Sequence, residues 1–201
     1  DLGKKAFYNC TSLASVTFGS GIDTINDSAF YGCSSLKALT LPDNIKYINY
    51  NSFSNCKSLE TINFGNGIES IGEYAFSDDE NILALNFPNS LKKISKYAFM
   101  NLKNVKIVVL NDSIDTIEQH AFYNCVNVTF YTSLSKIKEN WNQRFNSSRR
   151  PIFYDVMFDD LGRATRVYIS NDSFIRGNKI DNINVMDGFK CFTDDYGKEY
   201  N

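Results

Sequence analysis

The chain is poor in the residues that carry most chemistry. Its 201 residues include one histidine, His120, and one tryptophan, Trp141. Five cysteines occur, and none forms a C-x-x-C pair, so the usual zinc-ligand spacing is absent. No metal or other cofactor is expected. The net charge is −2, which gives no electrostatic pull toward nucleic acid or an acidic membrane. No apolar run approaches the length that spans a bilayer, which argues against direct membrane insertion. No leader pattern is visible at the start. The chain opens at Asp1, inside a repeat, which predicts a fragment of a longer protein with its targeting signals elsewhere. What is present suffices for a packed core: 43% hydrophobic and 22% charged residues.

One period organises most of this material. Phenylalanine recurs at Phe7, Phe30, Phe53, Phe76, Phe99 and Phe122, each 23 residues after the last. Alanine precedes it everywhere except at Ser52. Upstream sit paired aliphatics, Ile22/Ile25, Ile45/Ile48, Ile68/Ile71, Leu91/Ile94 and Ile114/Ile117. Downstream sit triplets, Leu13/Val16/Phe18, Leu36/Leu39/Leu41, Leu59/Ile62/Phe64, Ile82/Leu85/Phe87 and Val105/Val108/Leu110. The sixth copy begins its triplet with Val128 and Tyr131 and loses it at Ser133.

Such spacing describes a coil. The L-x-x-L-x-L segment is a short strand whose alternate residues point inward. Turn residues follow it: Gly19, Pro42/Asp43, Gly65/Asn66, Pro88/Asn89 and Asn111/Asp112. The I-x-x-I-x-x-x-A-F portion closes the coil, with the Phe ring filling its widest part. A single coil cannot bury its apolar face, but stacked coils can. The expected fold is an α/β-class leucine-rich solenoid, dominated by short parallel strands, with an irregular convex side. It occupies residues 1–132 as six copies, the first and last incomplete.

The pattern I-x-x-I-x-x-x-A-F-x-x-C-x-x-L-x-x-L-x-L-P, seen in Ile22–Pro42 and Ile45–Phe64, resembles the BspA-like class of leucine-rich repeats. That resemblance implies a secreted or cell-surface protein, usually of a host-associated bacterium or parasitic protist, and an adhesin without catalytic residues. Many leucine-rich repeats hold an asparagine ladder after the strand. Here that column reads Gly21, Asn44, Gly67, Ser90 and Ser113, so backbone turns are expected to satisfy the loops.

Four cysteines share one column, Cys10, Cys33, Cys56 and Cys125, with Asp79 and Leu102 between them. They read as reduced core thiols. Disulfides between adjacent coils are the rival, disfavoured because parallel side chains hold the Cβ atoms apart. His120 falls in the column of Lys5, Ser28, Asn51, Tyr74 and Tyr97, a solvated position, and a Ser–His–Asp set would have to use it. An enzyme is therefore not expected. Sequons at Asn9, Asn26, Asn111, Asn127, Asn146 and Asn171 carry little weight in an asparagine-rich chain.

After Tyr131 the period is gone. The first 132 residues contain ten lysines and no arginine, and all six arginines follow. Residues 133–201 are expected to form a capping segment and a small β-rich module. Leu134, Ile137, Trp141 and Phe145 form an amphipathic helical stripe suited to a cap anchored by Trp141. From Pro151 the alternation Ile152-Tyr154-Val156-Phe158, then Val167-Ile169, reads as strands. The stretch Gly188–Tyr200 resembles an internalin-B-type repeat, which implies a small β-grasp-like spacer on a bacterial surface protein.

Two columns point out of the sheet: Ser15, Ala38, Thr61, Ala84, Ile107, Phe130, and Thr17, Thr40, Asn63, Asn86, Val109, Thr132. Both lack charge, where Lys and Glu would be expected on a solvated face. The candidate protein-binding residues on this concave face are Thr61, Asn63, Ala84, Asn86, Ile107, Val109 and Phe130. Ile107, Val109 and Phe130 make an apolar patch that needs a partner. Either the segment after Leu134 covers it, or a ligand or second chain does. The leading expectation is a monomeric extracellular scaffold that binds a protein, such as a host matrix or cell-surface protein. A structural spacer displaying another domain is the alternative, and an intracellular interaction protein comes third.

Overall fold

The computed structural model describes residues 2–154, 156–158, 164–169, 192–194 and 199–200. Among them there is no helix. In chain order the strands are β1 (Thr24–Ile25), β2 (Ala38–Thr40), β3 (Tyr47–Ile48), β4 (Thr61–Asn63) and β5 (Ser70–Ile71). There follow β6 (Ala84–Asn86), β7 (Lys93–Ile94), β8 (Ile107–Val109), β9 (Thr116–Ile117) and β10 (Thr129–Tyr131). The last five are β11 (Ile152–Phe153), β12 (Met157–Phe158), β13 (Ala164–Ile169), β14 (Phe192–Asp194) and β15 (Glu199–Tyr200).

The fold is a parallel-strand solenoid, as the period predicts. Each coil is numbered here by its Phe, from coil 1 at Phe7 to coil 6 at Phe122. Two parallel ladders run along the stack. The broad one uses the three-residue strands: β2 pairs with β4, and separately β6, β8, β10 and β11 pair in that order. The narrow one, β1-β3-β5-β7-β9, lies on the other side and is continuous. The convex side thus carries more regular pairing than the sequence suggests. Two residues per coil reach strand geometry because each Ile at a column such as Ile48 or Ile71 is pulled fully inside.

The core is the set of repeat columns. Phe30, Phe53, Phe76, Phe99 and Phe122 have no exposed area. Neighbouring rings stack: Phe30–Phe53 at 5.1 Å and 3°, Phe53–Phe76 at 5.3 Å and 7°, Phe76–Phe99 at 5.5 Å and 2°. Offset stacks of this kind add to the hydrophobic gain. In coil 1, Phe7, Leu13, Val16 and Phe18 are only partly buried, since a coil covers them on one side only.

Two turn positions per coil take left-handed backbone. One is the residue before Ala: Ser28, Asn51, Tyr74, Tyr97 and His120 have φ between 55° and 62°. The other lies two after Phe, where Gly32, Asn55, Asp78, Asn101 and Asn124 supply the residue types that tolerate it. Both turns aim N–H groups at the next coil, as in Asn51 N–H to Glu73 O (3.0 Å) and Asn55 N–H to Ser77 O (2.9 Å).

Three expectations need correction. Leu134–Phe145 is not helical. It winds as a further coil, with Trp141 bridged to Ile117 and Phe122 N–H donating to Phe145 O at 3.0 Å. Phe145 stands 23 residues after Phe122 and continues its column, as coil 7. Trp141 does anchor this end: it is 1% exposed, and its indole N–H donates to Ile114 O at 3.1 Å. Secondly, Phe130 is not outward. β10 pairs Phe130 with Val108, one residue out of the strict period, and places it wholly inside against Phe122 (5.1 Å) and Phe145 (5.6 Å). An aromatic edge-to-face trio fills the narrowing end of the core better than a solvated Phe. Thirdly, side chains do satisfy the loops after the strands. Asn44 Nδ2 donates to Ile22 O, Ser90 Oγ to Ile68 O (2.8 Å) and Ser113 Oγ to Leu91 O (3.2 Å). In the same column Gly67 is required, because a Cβ there would lie 1.8 Å from Asp43 O.

Strands β12 to β15 form a four-stranded sheet, with β13 running against β11. The internalin-like stretch from Gly188 lies largely outside the described residues, and so does Asn171.

Candidate binding face

The broad ladder presents two outward columns. Registers place Ala38 beside Thr61, Ala84 beside Ile107 and Ile107 beside Thr129. The second column runs Thr40–Asn63, then Asn86–Val109–Tyr131–Phe153. Alternation along each strand, seen as exposed–buried–exposed in β2 and β6, is what turns these residues out.

The face divides in two. Ala38, Thr40, Thr61, Asn63, Ala84 and Asn86 are exposed. They are small or short and uncharged, and Thr40, Thr61, Asn63 and Asn86 can donate and accept hydrogen bonds. Lys37, Glu60, Leu83 and Lys106 border them, all exposed. Toward the C-terminal end exposure vanishes. Ile107 is half-buried, Val109 is 6% exposed and Tyr131 1%. Tyr131 stacks on Phe153 at 5.5 Å, and burial pushes its hydroxyl up to about 12. Just beyond, Val156 is buried and donates its N–H to Thr132 O at 3.0 Å. The apolar patch therefore has its cover within the chain. Of the predicted binding residues, Thr61, Asn63, Ala84 and Asn86 share one open surface, Ile107 marks its margin, Val109 is buried behind it, and Phe130 belongs to the core.

The thiol column has a clear physical role. Cys33, Cys56 and Cys125 are buried free thiols. Each donates to the Phe carbonyl of the preceding coil, Phe7 O at 3.2 Å, Phe30 O at 3.3 Å and Phe99 O at 3.0 Å respectively. Burial raises the Cys33 thiol to about 11 and Cys125 to about 12, and raises Cys56 as well. Cys10 is exposed, again because coil 1 is covered on one side only.

His120 is half-buried rather than solvated. Its ring stacks on Tyr97 at 5.3 Å, and its Nδ1 meets Ser147 Oγ. Ser147 Oγ also donates to Arg144 O at 2.9 Å. Among the described residues no group of three or more His, Cys, Asp or Glu converges on a metal position. No helix among them is long and apolar enough to cross a membrane. Several sequon amides are engaged: Asn26 donates to Leu2 O, Asn111 to Phe87 O, Asn127 to Lys103 O and Asn146 to Arg150 O.

The sequence model described as BspA type Leucine rich repeat region matches in six copies, over residues 1–129 and 92–196. This chain belongs to that family. The BspA-type solenoid is similar in structure to a leucine-rich repeat protein of T. pallidum, at 29% identity and a TM-score of 0.54. That match covers 55% of this chain and 52% of the other. A leucine-rich cell surface protein of Faecalibacterium prausnitzii shares the fold at 24% identity and a TM-score of 0.56, over 61% of this chain and 32% of that one. The BspA-type chain thus aligns with about half the length of the first and about a third of the second. No curated protein sequence matches it.

Proposed function

We propose that this BspA-type protein is a non-enzymatic binding scaffold of a bacterial cell surface, and that it contacts a protein ligand through Thr61, Asn63, Ala84 and Asn86, with Ile107 at the rim. The observation that carries this reading is the open half of the broad face. Its two columns stay uncharged and exposed from Ala38 to Asn86, while charge is confined to the borders. Short uncharged side chains on a rigid sheet lose little entropy when they are buried against a partner. The likeness to a leucine-rich cell surface protein of Faecalibacterium prausnitzii supports the placement. Against an enzyme stand the single histidine, half-buried and stacked on Tyr97, and the buried, high-pKa thiols.

The alternative is a structural spacer, on which this face has no partner. Binding of the chain to a panel of host extracellular-matrix and cell-surface proteins, compared with Asn63→Lys and Asn86→Lys, separates the two. Capture that both substitutions abolish, with melting unchanged, supports the scaffold. Capture that neither substitution weakens contradicts this face as the contact.

A further inference from the structure

Between coils 3 and 4 the broad ladder is interrupted. The broad ladder is unbroken from β6 to β11 and pairs β2 with β4, yet β4 and β6 are not hydrogen-bonded. The inward residue of β4, Ile62, is only partly buried although a coil lies on either side of it. Its counterparts Leu39, Leu85 and Val108 are at most 1% exposed. The narrow ladder, by contrast, crosses the same junction, with Tyr47 beside Ser70.

The thiol column is interrupted at coils 4 and 5, and in coil 4 by a polar residue. Asp79 takes the position of cysteine and is wholly buried. One carboxyl oxygen, Oδ1, accepts from Cys56 N–H at 2.7 Å. The other, Oδ2, is buried without a hydrogen-bond partner. The thiol-to-Phe carbonyl bond that ties coils 2, 3 and 6 to the coils before them is thus replaced by a single bond to the backbone. The titratable groups facing Asp79 are the Cys56 thiol and the neighbouring Asp78 carboxylate, and among the described residues no cation faces it. Asp78 itself accepts from Asn101 Nδ2 at 2.7 Å. Burial raises the Asp79 carboxyl well above its ordinary value, and the Asp78 charge adds to this.

We infer that the junction of coils 3 and 4 is a proton-gated seam, closed while Asp79 is a neutral acid and loosened between β4 and β6 when it ionises. An ionised Asp79 would be a buried anion with one hydrogen bond and an adjacent like charge, which the fold relieves by admitting water at a junction whose broad ladder is already unpaired. If the binding reading above holds, the seam bears on it. Thr61 and Asn63 lie on one side, Ala84 and Asn86 on the other.

The sign follows from linkage. The folded carboxyl holds its proton above the value of 3.8 at which the unfolded one releases it. The stabilisation is complete below 3.8 and is lost as pH rises toward the folded value. Equilibrium unfolding of the whole chain and of Asp79→Leu, the residue type that Leu102 brings to this column, should be followed between about pH 5 and 8. The ratio of wild-type to variant unfolding constants rises with pH, by up to about tenfold per unit for one proton. Asp79→Cys, the column's commonest residue, is the second reference and gives the same slope should the leucine fail to pack. Amide exchange relative to that variant accelerates with pH at Ile62–Phe64 and Ala84–Phe87, ahead of β8 and β10. A flat ratio against both references refutes the proton linkage. Added exchange spread evenly over all coils refutes the seam.

Discussion

Coils 2 to 5 and the closing end, coils 6 and 7, bury the same columns with different residues. In the interior each coil repeats its neighbour, so one Phe stacks on the next within 9° of parallel. At the end there is no further copy to stack on. Phe122, Phe130, Phe145 and Trp141 meet edge to face instead, at 78° to 79°. Repetition gives parallel stacks; termination turns the rings, because an edge set against a face closes a core that would otherwise stay open. The outward side divides one coil earlier. It is open and uncharged in coils 2 to 4, and apolar and withdrawn from solvent from coil 5 on.

The largest effect that separates the two regions is truncation of the stack. Phe53→Ala or Phe76→Ala is expected to destabilise by about 3–5 kcal/mol, since rings on both sides lose contact. Denaturant melts measure it, and a midpoint equal to that of a surface Lys→Ala control would refute it. Phe145→Ala is expected at the lower end, about 3 kcal/mol. Its amide-exchange changes should be confined to coils 6 and 7. Changes reaching coil 3 would mean that the ends are not energetically separate, contrary to nearest-neighbour coupling in repeat stacks.

Smaller is the effect of alkaline pH. The Cys33 thiol sits at about 11 and Cys125 at about 12 in the folded chain, above the ordinary 9.0. The folded state keeps protons that the unfolded state releases, so stability falls as pH rises from 9.0 toward those values. Smallest in energy is the reactivity contrast along the column. At neutral pH an alkylating reagent should label Cys10, and Cys33, Cys56 and Cys125 only after unfolding. Peptide mapping reads this directly. Label on Cys56 in the native state, or a mass lower by two protons from a disulfide, would contradict it.

The regular coils were legible because one ring every 23 residues leaves little freedom: Ala, Phe and the aliphatic columns each have one place inside. The closing end was less so, for identifiable reasons. Phe145 keeps the period, but Asn140 falls where an aliphatic is expected, and Trp141 reaches Ile117 one residue late. Its spacing from Leu134 and Ile137 then mimics a helix. Phe130 was assigned outward by strict counting, whereas packing on Phe122 pulled the strand one residue out of step. The hydrogen-bonding side chains at Asn44, Ser90 and Ser113 look unlike an asparagine ladder by residue type and still do its work. Within the face, Thr61, Asn63, Ala84 and Asn86 were legible from alternation alone. The burial of Val109 was not, because the one-residue shift of β10 sets Tyr131 beside it where strict counting sets Thr132.

Asn86 and Val109 hold the same column on adjacent strands, paired in register, one exposed and the other 6% exposed. Their substitution by lysine tests the division of the face most directly. Thermal and denaturant melts of Asn86→Lys should match wild type to within about 0.5 kcal/mol, as for other open surface positions. Val109→Lys should lose at least about 2 kcal/mol, because it forces a charge under the covering segment. Equal melting of the two variants would show that the column is uniform and that the apolar end is not covered.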